Sequence, residues 1–293
     1  MDLDLRKLRY FVAVAERLHF GRAAEALHIT QPALSRQIRQ LENDVGVELF
    51  VRTSREVALT SAGEQLLCDA GRLLAASHAV RDRARRAGED GRHLTVGFMF
   101  GIDTAPALRR FAERHPDVVV QLKRLHSKDR SEALLDGRVD AGLVRLPLIS
   151  EGLSTMFLYT EPFTVLLPAD HPLAARTSLS IGDIADEPLL HYADADPAWN
   201  AFWRVDPRPD GTRPRSGPAV HDIEEIVEYV RVRRGVAFLP PSINFLFPRS
   251  DVVYVPVADV PPSTVVLAWE SARHSPLITA LAEVVRETVR PRR

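Results

Sequence analysis

The segment Thr30–Asp44, Thr-Gln-Pro-Ala-Leu-Ser-Arg-Gln-Ile-Arg-Gln-Leu-Glu-Asn-Asp, constrains this chain most. At about 100° per residue, Leu34, Ile38, Leu41 and Val45 fall within one narrow arc, so the spacing predicts a helix buried along one stripe. The opposite arc carries Pro32, Ser35, Arg36, Arg39, Gln40 and Asn43, a face that is polar without being acidic. Arginine can donate a pair of hydrogen bonds to guanine, glutamine can pair with adenine, and serine can bond phosphate or a base edge. Thr30 is expected as the N-cap, and Pro32 falls in the first turn, where its missing N–H costs nothing. Gly46 is the stop signal. Such a helix needs neighbours that hold its apolar stripe and leave the other face free.

The flanking sequence supplies them. Leu5, Leu8, Phe11, Val12, Ala15 and Leu18 have helical spacing, and Gly21–Leu27 reads as a short second helix with Ala23, Ala24 and Leu27 turned inward. Small alanines allow a close helix crossing. His28-Ile29 leaves only a tight connection into Thr30, which is helix-turn-helix spacing. After Gly46, the residues Val51, Val57 and Leu59 suggest two short strands around a turn at Thr53–Arg55. Arg52 and Arg55 would decorate this ribbon, where arginines reach phosphate or the minor groove.

Residues 61–87 then run without proline. Thr60 or Ser61 caps this segment, and Ser61-Ala-Gly-Glu64 has the capping-box pattern. Leu66, Ala70, Leu73, Ser77, Val80, Ala84 and Ala87 step by alternating four and three residues, a heptad seam. Either the helix belongs to the core of the preceding unit, or it pairs with its own copy and sets two reading helices at a fixed spacing on two-fold DNA. A charged, glycine-containing joint at 88–92 suggests a boundary.

Composition bounds the function classes. The chain has 293 residues, enough for at least two cored domains, and a formal net charge of −1, so any basic surface is local. Its single cysteine, Cys68, excludes an intrachain disulfide and a cysteine metal cluster and fits a reducing compartment. The N-terminus lacks a secretory h-region, and no apolar run approaches the roughly 18 residues of a membrane span, so a cytoplasmic protein without membrane contact is expected. No H-E-x-x-H, G-x-S-x-G or P-loop is present, which weighs against an enzyme and gives no reason to expect a metal or cofactor.

Beyond residue 92 strand and helix patterns alternate: strands at Leu94–Phe98, Val118–Leu125 and Val139–Val144, with helices at Thr104–Arg114 and Asp129–Leu135 between them. This order implies a parallel sheet covered by helices. A second lobe is read from Phe163–Leu167, Leu189–His191, Ala219-Val220, the helix Asp222–Val232 and Val236–Leu239. Thr264–Trp269 and Pro276–Thr288 are expected to return to the first lobe. Ligands in such folds bind beyond strand carboxyl ends and between lobes. That selects the loops 98–103, 126–130, 145–147 and 192–199, and the helix start at His221-Asp222. The Pro/Arg-rich stretch 205–218 reads as a surface excursion.

Phe11, Ala23-Ala24, Gln31-Pro32-Ala33-Leu34-Ser35-Arg36-Gln37-Ile38, Leu41-Glu42, Gly46, Leu49-Phe50-Val51-Arg52 and Leu59-Thr60-Ser61-Ala62-Gly63 together resemble the winged helix-turn-helix of LysR-type transcriptional regulators. Pro116-Asp-Val118, Leu134–Gly142, Val165–Pro168, His171-Pro-Leu173 and Gly235–Pro240 resemble the same family's effector-binding domain, so the resemblance spans essentially the whole chain. It implies an α/β chain in three parts: an all-α winged helix-turn-helix (1–60), a linker dimerisation helix (61–90) and a two-lobed domain shaped like a periplasmic binding protein (91–293). It implies DNA contacts from Gln31, Pro32, Ser35 and Arg36, supported by Arg52 and Arg55, with Thr30 and Arg39 completing the candidate set. By position in the family pattern, Phe98, Met99, Phe100, Ser127, Lys128, Arg145, Pro197 and Asp222 are the effector candidates. Lys128 and Arg145 are suited to a carboxylate, whereas Asp194, Asp196 and Asp222 complicate an anionic ligand. The implied partners are double-stranded promoter DNA with an interrupted palindrome, a small-molecule effector, a homodimer or homotetramer, and RNA polymerase. A constitutive DNA binder whose C-terminal part only oligomerises, and an enzyme on the two-lobed fold, are the alternatives.

Overall fold

A computed structural model of the chain describes residues 3–52, 57–87, 92–149, 151–245 and 248–290. The chain divides into two compact units, Met1–Glu89 and Asp90–Arg293.

The first unit opens with α1 (Leu5–Arg17), α2 (Phe20–Ala26) and α3 (Gln31–Val45). Helices α1 and α2 start where a side chain takes up an orphan backbone donor: Asp4 accepts from Arg6 N at 2.7 Å, and His19 Nδ1 accepts from Arg22 N at 3.2 Å. Leu8, Phe11, Val14, Ala23, Ala24, Leu34, Ile38 and Leu41 form the core, while Leu5 and Leu18 at the ends of the first stripe are exposed. Val45 also departs from its expected place. It is the last residue of α3, outside that core, and 38% exposed. Thr30 occupies the N-cap position of α3 with extended backbone, but its side chain makes no capping bond. Between α2 and α3 the chain turns through His28, whose φ of 54° lies in the left-handed region.

Strands β1 (Phe50–Arg52) and β2 (Val57–Leu59) pair antiparallel, Phe50 opposite Leu59. Phe50 packs against Phe11 at 5.4 Å and Phe20 at 5.8 Å between ring centroids, which seats the ribbon on the helices. Helix α4 (Ser61–Ala87) follows. Its cap is Thr60, whose Oγ1 accepts from Gly63 N at 3.0 Å and donates to Glu48 O at 2.8 Å. A Cβ on Gly63 would stand 2.2 Å from Leu49 O, so the helix start approaches the ribbon as only glycine allows. The expected seam is used unevenly. Ala70 is buried in the unit's own core with Leu66, Leu67 and Leu74 packed beside it, whereas Leu73 and Val80 are 44% and 55% exposed.

The second unit has two lobes. In the first, β3 (Arg92–Met99), β4 (Val118–Leu125) and β5 (Ala141–Arg145) are parallel, with α5 (Ala105–Arg114) and α6 (Arg130–Leu135) as crossovers. The sheet is mixed rather than wholly parallel, because β6 (Leu153–Glu161) and β12 (Ser263–Glu270) add two antiparallel strands in the order β4-β3-β5-β12-β6. Strand β12 and α9 (Pro276–Thr288) bring the chain's end back to this lobe, α9 packing on α5. In the second lobe β7 (Thr164–Pro168) lies between β10 (Ala237–Leu239) and β11 (Val252–Pro256), both antiparallel to it. A parallel pair, β8 (Leu189–Tyr192) and β9 (Ser216–Val220), and the helices α7 (Pro197–Arg204) and α8 (Ile223–Arg231) complete it. The stretch 205–218 is tied down: Arg208 is buried, and its Nη1 donates to Ile181 O at 2.9 Å.

Candidate DNA-reading helix and interlobe cavity

On α3, the burial of Leu34, Ile38 and Leu41 turns Gln31, Pro32, Arg36, Arg39 and Gln40 to the surface beside exposed Thr30, with Ser35 half-buried. The polar groups differ in how free they are. Arg39 Nη2 reaches Ser35 Oγ at 3.4 Å, and Gln40 Nε2 donates to Asp44 at 3.1 Å. Asp44 is also held by Lys7 at 2.6 Å, and these bonds, led by that from Lys7, hold its carboxyl below the usual range. Arg36 makes no ion pair among the described residues, so its guanidinium stands ready for an external acceptor. Glu42 points the other way. Its Oε1 accepts from Leu49 N at 3.1 Å and Phe50 N at 3.3 Å, pinning the ribbon to the helix. Arg55 and the Arg52 side chain lie outside the described residues.

Between the lobes of the second unit lies an open-mouthed cavity, with about 580 Å³ of space not filled by atoms when the solvent at its mouth is included. Five expected residues line it: Met99, Phe100, Ser127, Arg145 and Asp222. Three do not. Phe98 precedes Met99 on β3, and neighbours on a strand face opposite sides. Pro197 sits exposed in the first turn of α7. Lys128 is exposed and pairs with Asp194 at 3.6 Å. The floor is shaped by two adjacent glycines: Gly97 and Gly142 are in register on β3 and β5, and a Cβ on either would press on Leu125 Cδ1, at 2.5 and 3.1 Å. Leu125 can therefore lie in the cavity wall.

Much of the remaining wall is aromatic, with Ile223, Leu239, Pro240 and Ile243 beside it. Tyr192, Trp199, Trp203 and Phe238 come from the second lobe, and Phe100 from the first. Helix α7 supplies both tryptophans. Asp196 caps it by accepting from Trp199 N at 2.8 Å, and Asn200 exchanges two hydrogen bonds with the Tyr192 backbone at 2.8 and 3.0 Å. Desolvation first, and the Asp222 charge second, push the Tyr192 phenol well above its ordinary range, so it stays a neutral hydroxyl.

The cations are mostly spoken for. Arg145 is 3% exposed and donates to Glu161, itself 1% exposed, at 2.8 Å, to Ser242 Oγ at 3.0 Å and to Phe100 O at 2.8 Å. Its charge is neutralised inside the protein, contrary to the expectation of a free carboxylate partner. Arg124 is exposed at the rim, its guanidinium 5.3 Å from the centre of the Phe100 ring. Among the described residues no cluster of histidine, cysteine or carboxylates could hold a metal ion.

Two family models match this chain. The model described as the bacterial regulatory helix-turn-helix protein of the lysR family covers residues 5–64, and that of the LysR substrate binding domain covers residues 87–290. The chain belongs to the LysR family of transcriptional regulators. The Hca operon transcriptional activator HcaR of Escherichia coli (strain K12) is 34% identical over 97% of this chain and 98% of its own length. The regulator AlsR of Bacillus subtilis (strain 168) is 35% identical over 94% and 93%. Among solved structures, full-length BenM matches with a TM-score of 0.58 at 28% identity, covering 97% of this chain and 96% of that one. CbnR complexed with its target DNA shares the fold, with a TM-score of 0.55 at 24% identity over 97% and 99%. As a LysR-type regulator the chain thus joins a DNA-binding helix-turn-helix to an effector-binding domain, and none of its described helices is long and apolar enough to cross a membrane.

Proposed function

We propose that this regulator reads a two-fold promoter site with α3 in the major groove and is switched by a small molecule in the interlobe cavity. The observation that carries the reading is the pairing of a buried stripe at Leu34, Ile38 and Leu41 with the free Arg36 guanidinium on the opposite face. Thr30, Gln31, Pro32, Ser35, Arg36 and Arg39 approach the duplex, and Arg52 and Arg55 reach its backbone or minor groove. Functionally the chain has three parts, at 1–60, 61–90 and 91–293, and pairs through the exposed Leu73 and Val80 side of α4 into dimers that assemble as tetramers. It acts in the cytoplasm, engages RNA polymerase at its promoters, and does not turn over its ligand. The effector has a flat, mainly apolar body suited to Phe100, Trp199, Trp203 and Phe238, and polar groups that meet Ser127 and Tyr192. Arg124 is placed to receive a negative charge at the mouth, since the Arg145 charge is already matched by Glu161.

The test is genome-wide selection of bound DNA, followed by titration of the recovered site with wild type and Arg36→Ala. Loss of a bidentate base contact lowers affinity by about 1–3 kcal/mol and relaxes preference at one base pair per half-site. Equal affinity and equal preference for the two proteins would remove α3 as the reading helix. Screening small aromatic and carbonyl compounds for a shift in melting of the second unit tests the cavity independently.

A further inference from the structure

We propose that Arg130 is a positioning residue that holds the two lobes closed over the cavity. This rests on the reading of that cavity as the effector site. Arg130 opens α6 in the first lobe, yet only 2% of it is exposed, and it heads the fully buried large side chains. Its fork is shared between the lobes. On its own side Nε and Nη2 donate to Pro147 O at 3.2 and 2.7 Å, and Nη1 donates to Ser127 O. Across the cleft Nη2 donates to Asp196 Oδ2 at 2.8 Å, and the guanidinium carbon stands 4.2 Å from the centre of the Trp199 ring. Ser127 and Trp199 are cavity walls from opposite lobes, so one planar cation touches a wall residue of each.

Asp196 has two tasks. Oδ2 accepts from Arg130 Nη2, and Oδ1 caps α7 by accepting from Trp199 N. The cap of the helix that carries both cavity tryptophans is therefore the anchor of the cross-lobe bond. A second rung lies two residues away on both sides, where Lys128 meets Asp194 at 3.6 Å. The rungs differ in kind. The outer one joins two exposed side chains, and such pairs contribute almost nothing. The inner one is dry on its arginine side, where separation strands a buried cation, so it resists opening. Arginine suits this place because its rigid fork satisfies three acceptors at once while its flat face lies on the indole, a geometry lysine lacks.

The experiment uses the full chain and acrylamide as probe, with no effector needed. Trp269→Phe leaves Trp199 and Trp203 as the only tryptophans. Asp196→Asn keeps a good N-cap while deleting the charge. In that background Asp196→Asn and Arg130→Lys should each raise the acrylamide quenching constant at least threefold, at a temperature well below melting and with unchanged helical circular dichroism. Lys128→Ala should leave quenching at the parent value. If a variant does not fold, hydrogen exchange of the parent protein decides: amides of 127–135 and 198–204 should open together with one rate. Parent-like quenching in folded Asp196→Asn, an equal rise in Lys128→Ala, or independent opening of the two segments would overturn the proposal. Because the readout needs no ligand, a failed compound screen leaves it standing, and its failure leaves the effector site to the screen.

Discussion

Arg145 and Glu161 form an ion pair in which both side chains are almost fully out of water, at 2.8 Å. Removing one partner leaves the other charge buried without compensation, which costs about 3–5 kcal/mol. Arg145→Met also gives up the donors to Phe100 O and Ser242 Oγ, about 1 kcal/mol each. Glu161→Leu leaves the guanidinium with only those two neutral acceptors. Replacing both members by apolar side chains removes the uncompensated charge, so Arg145→Met/Glu161→Leu should lose only about 1–3 kcal/mol. The double variant is then more stable than either single one, with a coupling of at least about 3 kcal/mol. All three tryptophans lie in the second unit, so urea unfolding followed by fluorescence reports on that unit. With a slope of about 2 kcal/mol per molar, a 4 kcal/mol loss moves the midpoint by about 2 M. Additive single losses, or single losses below about 1 kcal/mol, would refute the reasoning that this pair is a buried, mutually neutralising unit.

Other perturbations test other links. Glu42→Ala strands the amides of the buried residues Leu49 and Phe50, so the first unit should lose about 1–3 kcal/mol in thermal unfolding, and DNA affinity should fall with the ribbon's placement. His28→Gly relieves a left-handed φ of 54° and should stabilise that unit by about 0.5–1 kcal/mol; a lower melting temperature would contradict it. Leu73→Asp puts a charge on the exposed side of α4 and should shift sedimentation toward monomer, whereas an unchanged profile would place the self-pairing surface elsewhere.

Helix α3 was legible because its partners impose a 3.6-residue period on Leu34, Ile38 and Leu41. Val45 has the same period but lies past the core that would cover it, and periodicity carries no information about where a neighbour ends. In the second unit the loops that meet at the cavity could be placed from strand and helix order, but the state of the charges could not. Arg145 reads as a free cation until β6 brings Glu161 beside it. Helix α7 was missed, although Asp196-Pro197 is a cap followed by proline in the first turn, the very signature used for Thr30 and Pro32. With that helix recognised, Trp199 and Trp203 would have fallen on one face. Nothing local marks Arg130 or Arg208 as buried, since apart from Ser127 O the acceptors that fix them come from segments 17 to 66 residues away.

Strand β12 lies between β5 and β6, so an interior strand of the first lobe's sheet is supplied by residues 263–270, late in the chain. The second lobe's strands, from β7 to β11, are continuous in sequence and interrupt the chain between β6 and β12, two neighbouring strands of that sheet. A nascent chain can thus complete the second lobe on the ribosome while the first still waits with two unpaired strand edges, at β5 and β6. Until residue 270 emerges, those edges are open to wrong partners. A frameshift or nonsense change between β11 and the end of β12 would therefore release a protein with an intact reading helix and an unfinished sensor.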